Sequence, residues 1–300
     1  MRPCVAAVGT FDGVHCGHRA IVSKVVEIAR NRGLDSRIVT FLNHPLSVIA
    51  PERCPKWITT RDVSEYELER LGVGRVSHIS FTYELARMTA AEFMKVLRER
   101  YNVQVLVMGY DNTFGSDRLS EHDQYIEAGR QAGIEVVFVD KVLTENGEVP
   151  SSSAVRHAVA DGDVDRILNL MDSELIMEGT VVRGKRNGHK LGFPTMNLDM
   201  DGCQPLAEGV YAAAFFPDMY DYSEDYPAVL SVGHNPTISD DNALTYELHV
   251  PGHDLGDMYG EKVRFVVGPR LRDIRKFDSL ADLKKAIRED IRWSKIIYAH

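Results

Sequence analysis

The chain has 300 residues, 44% of them hydrophobic and 26% charged, enough to bury one large core or two ordinary ones. Its formal charge of −9 gives no broad attraction to phosphate backbones or anionic lipid, which argues against extended nucleic acid or a membrane as partner while leaving room for a local nucleotide pocket. No segment approaches ~20 uninterrupted apolar residues, and Cys4, Cys16, Cys54 and Cys203 form no Cys-x-x-Cys pair, so the expectation is a soluble cytoplasmic protein.

From the start to about residue 139, short β-branched runs alternate with helical patterns: CVAAVG, HRAIVSKVVEIARNRG, SRIVTF, AAEFMKVLRERY, VQVLVMG, HDQYIEAGRQAG and IEVVFVD. That rhythm predicts a parallel α/β sheet of the Rossmann-like kind. Near-continuous apolar strands such as VLVMG require helices on both sheet faces, and Gly33 and Gly133 are placed to end helices. The segment SSAVRHAVADGDVDRILNLM reads as helical and precedes a change of texture. Beyond it, GTVVRG, GVYAAAFF, PAVLSVG, LTYELHV and KVRFVVG are strand-like and separated by turn residues without helices. They predict a small closed antiparallel barrel. Helical periodicity returns at residues 279–293, where Leu280, Leu283, Ile287 and Ile291 form one stripe expected to pack on the barrel. The expected domains are therefore residues 1–173 and 174–300. Nothing in the pattern sets an oligomeric state.

The first strand runs through GTFDGVHCGH straight into a helix, which puts His15 and His18 at a strand-to-helix turn. Free N–H groups at a helix start suit phosphate, and two imidazoles can donate to oxygens that gain charge as phosphorus is attacked. Gly13 and Gly17 permit close approach of backbone to a ligand. By themselves the paired histidines are equally a decorated turn or a metal site. FLNHP at residues 41–45 and GYDNTFG at residues 109–115 follow strands, on the sheet edge where α/β proteins bind ligands. PSSSAVR at residues 150–156 opens a helix, so Ser152 and Ser153 can cap it and join Arg156 around a phosphate, or serve as an ordinary serine-rich cap.

Together these segments resemble the HxGH nucleotidyltransferases, in their flavin-adenylylating branch. The resemblance implies that His15 and His18 contact ATP phosphates during adenylyl transfer, with Gly9, Phe11, Asp12, Gly17, Asp111, Ser152, Ser153 and Arg156 completing the nucleotide site. Ser153 stands where that family usually has Thr, and Ala154 where it has a larger residue.

In the second half, GTVVRGKRNGHKLGFPTMNL resembles the opening of riboflavin kinases, and GVY, NPT, TYELHV, DMYG and LRDIRKFDSLADLKKAIREDI continue the match. The resemblance implies that Gly184, Lys190, Thr195 and Asn197 bind Mg-ATP, with Thr195 and Asn197 as neutral oxygen ligands to Mg²⁺. Strand alternation puts Tyr246, Leu248 and Val250 on one face and Glu247 and His249 on the other. Glu247 matches the family's catalytic glutamate, the base for the ribityl hydroxyl. His189 replaces a usual Arg and Met196 a usual Ala; Lys185, Arg186 and Lys190 lie close enough in sequence to compensate. Both matches together imply a bifunctional enzyme of the riboflavin kinase/FMN adenylyltransferase family, acting on riboflavin, FMN/FAD and ATP with Mg²⁺. The readings set against it are a kinase with a vestigial first domain, a riboflavin sensor without turnover, and an HxGH enzyme for another phosphate substrate.

Overall fold

The computed structural model describes residues 1–184, 191–200, 202–218, 224–234, 244–253 and 255–299. Two compact units are present: Met1–Lys56 with Ser64–Ser151, and Trp57–Val63 with Ser152–His300.

The first half of the chain forms, in order, β1 (Cys4–Val8), α1 (Cys16–Arg32), β2 (Asp35–Phe41), α2 (Leu46–Ile49), α3 (Arg61–Arg70), β3 (Arg75–Ile79), α4 (Tyr83–Ala86), α5 (Ala90–Tyr101), β4 (Val103–Gly109), α6 (His122–Ala132) and β5 (Glu135–Val139). The five strands make one parallel sheet of order β3-β2-β1-β4-β5. Alternation along β1 explains why it carries no polar residue: Cys4, Ala6 and Val8 enter a core with Phe93 and Met94 of α5, while Val5 and Ala7 face Val22 and Val25 of α1. Gly33 and Gly133 do terminate α1 and α6, in left-handed conformation. The edge strand β3 escaped the sequence reading because its RVSHI lacks an apolar run.

The second half forms α7 (Ser152–Asp161), α8 (Val164–Met171), β6 (Leu175–Val182), β7 (Met196–Asp199), β8 (Gly209–Phe216), β9 (Tyr226–His234), β10 (Leu244–His249), β11 (Lys262–Arg272) and α9 (Leu280–Ile297). The strands close into an antiparallel barrel of order β10-β7-β6-β11-β8-β9. Texture changes near residue 173, but packing divides the chain at Ser151 and Ser152. Val155, Ala158, Ile167 and Leu170 of α7 and α8 bury themselves with the barrel residues in one core.

The stripe on α9 differs from its sequence expectation. Leu283, Ile287 and Ile291 are half-buried, but Leu280 is 66% exposed, and the residues buried deepest are polar, Asp290 and Ser294. The barrel beneath presents polar partners: Ser294 donates to the Ala228 carbonyl, and Asp290 meets Arg272.

The second unit also takes in Trp57–Val63 from the first half of the chain. Ile58 is fully buried in the barrel core, Trp57 bridges to Cys203, and Asp62 pairs with Lys262 at 2.8 Å. Ile58→Ala is expected to destabilise this unit by about 2–5 kcal/mol, the cost of a core cavity. Hydrogen exchange reads this directly: barrel amides lose protection while those of β1 and β4 keep theirs. Equal loss in both sets would contradict the packing.

Candidate active sites

The turn from β1 into α1 is tightly wound. Phe11, Gly13 and Val14 all have positive φ, at 47°, 77° and 36°, the first and third without a glycine's freedom. Such conformations persist where surrounding structure enforces them, and they gather at functional sites. The turn brings together Gly9, Phe11, Asp12, His15, Gly17 and His18: Phe11 is buried beside Gly9, Asp12 is only 1% exposed, and His15 is buried at the start of α1. The imidazoles of His15 and His18 stack with ring centroids 3.8 Å apart, and Phe11 lies 5.0 Å from His18. A Cβ on Gly17 would come within 3.2 Å of the His15 ring and 3.5 Å of Pro150, so the small residue between the histidines lets His15 lie across the backbone.

Burial, and then the neighbouring His15, hold His18 well below the usual imidazole value. Its Nδ1 is buried and has no hydrogen-bond partner among the described residues. A buried polar group in that state is matched by a ligand or water.

Since β2 lies on one side of β1 and β4 on the other, the chain reverses its strand order beside β1. Ligands of open α/β sheets bind at that point. Asp111 stands exposed just past β4, and the adjacent Asn112 donates to the Val8 carbonyl at 3.4 Å, which ties this loop to the end of β1. The Asn43 side chain of FLNHP is spent on structure, exchanging two 3.0 Å hydrogen bonds with the Phe81 backbone. Ser152 and Ser153 are the first residues of α7, so Ser151 rather than either of them precedes the helix; with Arg156 they belong to the second packing unit.

Lowered titration of His18 has a stability consequence. The unfolded chain holds a proton at this site up to about pH 6.5, whereas the folded chain releases it at lower pH. Between those values the unfolded state binds more protons, so stability falls as the pH drops through this window. His18→Gln is expected to remove that contribution, which urea unfolding between about pH 5 and 7 measures. Parallel curves for the two proteins would contradict it.

In the barrel, register places Glu247 of β10 between Asn197 of β7 and Ser231 of β9. Cross-strand partners share a face. Thr195 Oγ1 donates to Glu247 Oε2 at 3.1 Å, which leaves the hydroxyl lone pairs for another partner. Any Cβ on Gly184 would collide with the Asn197 side chain, so the glycine and the amide fit only as a pair. Gly184, Thr195 and Asn197 line a cavity of about 690 Å³ together with Asp257, Met258 and Tyr259 of DMYG.

Tyr246, Leu248 and Val250 enter the core, as alternation requires. His249, on the other face, is nonetheless buried, its Nδ1 2.6 Å from the Pro194 carbonyl. Burial lowers its titration, and that hydrogen bond offsets part of the effect. Lys190, together with Lys185, Arg186, His189 and the NPT at residues 235–237, lies outside the described residues.

A second cavity, of about 540 Å³, was missed by sequence reasoning. Ser231, Arg272, Ile274, Phe277, Leu280 and Leu283 line it. Exposed apolar side chains at its rim, Leu280 and Ile274 (43% exposed), were the one available signal, and they are visible only after folding. Glu247 lines neither cavity, but its two cross-strand partners do, Asn197 the first and Ser231 this one. Among the described residues no cluster of three His, Cys, Asp or Glu is placed to hold a metal, and no helix is long and apolar enough to cross a membrane.

Comparison with known proteins agrees with this division. A family model described as FAD synthetase matches residues 1–154, and one described as riboflavin kinase matches residues 171–298. A bifunctional riboflavin kinase/FMN adenylyltransferase of Pseudomonas fluorescens is 32% identical over 99% of this chain and 94% of its own length. The Escherichia coli K12 protein of the same description is 30% identical over 96% of this chain and 90% of its own. Among solved structures, one described as a macrolide-efflux protein from Streptococcus pneumoniae superposes with a TM-score of 0.82 at 30% identity, covering 98% of this chain and 94% of that one.

Proposed function

The chain belongs to the family of bifunctional riboflavin kinases/FMN adenylyltransferases, and on that premise we propose which of its residues carry each reaction. It phosphorylates riboflavin with ATP to FMN, then adenylylates FMN with a second ATP to FAD and pyrophosphate.

The observation that carries the kinase assignment is the register of Glu247, whose cross-strand partners Asn197 and Ser231 each line one of the two cavities. The cavity with neutral oxygens takes ATP. The one with Phe277, Ile274 and Leu280 suits the flat, largely apolar flavin ring of the acceptor. Glu247 accepts the proton of the ribityl primary hydroxyl as its oxygen attacks the γ-phosphorus and ADP departs. Thr195 is the residue that keeps Glu247 oriented before substrate arrives. The Thr195 hydroxyl and the Asn197 carbonyl oxygen fit a Mg²⁺ that takes most of its ligands from phosphate and water. When bound, that ion screens the triphosphate charge.

In the first unit, the FMN phosphate oxygen attacks the α-phosphorus of ATP and pyrophosphate leaves. His15 and His18 donate hydrogen bonds to the phosphate oxygens, and the uncommitted His18 Nδ1 supports that role. Gly9, Phe11, Asp12 and Gly17 shape the turn against the nucleotide, and Asp111 borders it from the loop after β4. Residues 1–173 and 174–300 are the corresponding functional halves. The four cysteines are all unbridged, which supports residence in a reducing cytoplasm.

Chromatography of reactions started from riboflavin and, separately, from FMN tests the assignment. FMN followed by FAD is expected from the first, and FAD from the second. Conversion of riboflavin that stops at FMN would overturn the adenylyl site, and absence of FMN would overturn the kinase site.

A further inference from the structure

The cavity beside Ser231 has one wall built around an ion pair. Arg272, the last residue of β11, directs Nε to both Asp290 oxygens at 3.0 and 3.1 Å and Nη2 to Oδ2 at 2.9 Å, while Nη1 donates to the Asp273 carbonyl at 3.2 Å. Asp290 comes from α9 and its side chain is only 7% exposed. The same guanidinium lies over Phe277, 5.5 Å from the ring centroid, and Arg275 stands 5.0 Å from that centroid. Arg272 and Phe277 both line the cavity, whereas Asp290 does not.

An arginine has five N–H donors. Asp290 uses the one on Nε and one on Nη2, and the Asp273 carbonyl uses one on Nη1, which leaves one on each terminal nitrogen. A charge-paired guanidinium beside an aromatic ring, with two donors to spare, matches a planar heterocycle that carries carbonyl oxygens along one edge. Riboflavin has that edge in its pyrimidine ring. Pairing with Asp290 also cancels the charge, so the wall accepts a neutral ring without leaving a buried cation uncompensated.

We propose that Asp290 is a positioning residue for riboflavin, acting through Arg272 to fix the wall of the acceptor cavity. The proposal rests on the reading of that cavity as the riboflavin site. It also accounts for a carboxylate at a position where α9 would otherwise bury an apolar residue.

The test uses the full chain and the variants Asp290→Asn, Arg272→Lys and the pair together, with steady-state kinetics of FMN formation and a thermal melt. Asp290→Asn is expected to raise the riboflavin KM about ten-fold, the loss of a charge-assisted hydrogen bond. The ATP KM and kcat are expected to stay within about two-fold, since a positioning effect on the acceptor is uniform binding. Lysine at 272 keeps the charge but cannot form the fork, so it gives the same riboflavin defect. The double variant is expected to be no worse than Arg272→Lys alone, the signature of one residue acting through the other. An unchanged riboflavin KM, a fall in kcat alone, or additive defects would each overturn the proposal. If Asp290→Asn does not fold, the riboflavin KM of Arg272→Lys decides. Wild-type protein that makes no FMN would instead contradict the kinase reading itself, so the two failures are distinguishable.

Discussion

Glu247→Gln is expected to slow FMN formation from riboflavin by about 10²–10⁴-fold, the usual contribution of a general base, while FAD formation from added FMN stays intact. Glutamine keeps the size of the side chain and still offers an oxygen to Thr195, so the cross-strand setting between Asn197 and Ser231 is preserved. What it loses is the capacity to take a proton from the attacking hydroxyl. The defect should therefore fall on kcat and leave the KM values for ATP and riboflavin nearly unchanged. A fall confined to KM would mean that Glu247 serves binding rather than proton transfer. An active Glu247→Gln enzyme would move the base elsewhere.

His18→Ala is expected to produce the complementary loss, about 10²–10³-fold in FAD formation from FMN, on the scale seen when a single donor to a developing anion is removed. FMN formation from riboflavin continues, because the kinase residues belong to a different packing unit. His18→Asn should recover part of the rate, since its amide retains a donor that alanine lacks. The stacked pair adds a second expectation: the ring centroids of His15 and His18 lie 3.8 Å apart, so if both donate to one phosphate group, as proposed, the double variant should cost less than the product of the single defects. Equal rates for His18→Ala and wild type would assign the turn a structural role only.

Local chemistry explains which parts of this arrangement are legible before folding. The sheet could be read because β1 and β4 are buried on both faces and their sequences carry almost no polar residue. The HxGH turn could be read because its chemistry is contiguous, with Gly9 through His18 lying within ten residues. Glu247 could be placed on a face by alternation alone, and Tyr246 and Leu248 lie in the core accordingly. Strand β3 was not legible, since an edge strand buries too little to need an apolar run. Strand β7 was not legible either, because it is four residues long and its first two, Met196 and Asn197, end the Pro-Thr-x-Asn motif, which resembles a turn.

The sequence by itself determined the fold class, the order of the two chemistries and the contiguous motifs that carry them, because each depends on neighbours in the chain. Only the tertiary structure decided what long-range packing sets. It brought Ile58 into a barrel core more than a hundred residues further along the chain, exposed Leu280 at a cavity rim, and buried Asp290 against Arg272. It also set Glu247 in register with Asn197 and Ser231, which line two different cavities. Periodicity reports which way a side chain points, but its partner across a strand or under a helix is fixed by the register of the closed barrel, which joins residues far apart in the chain.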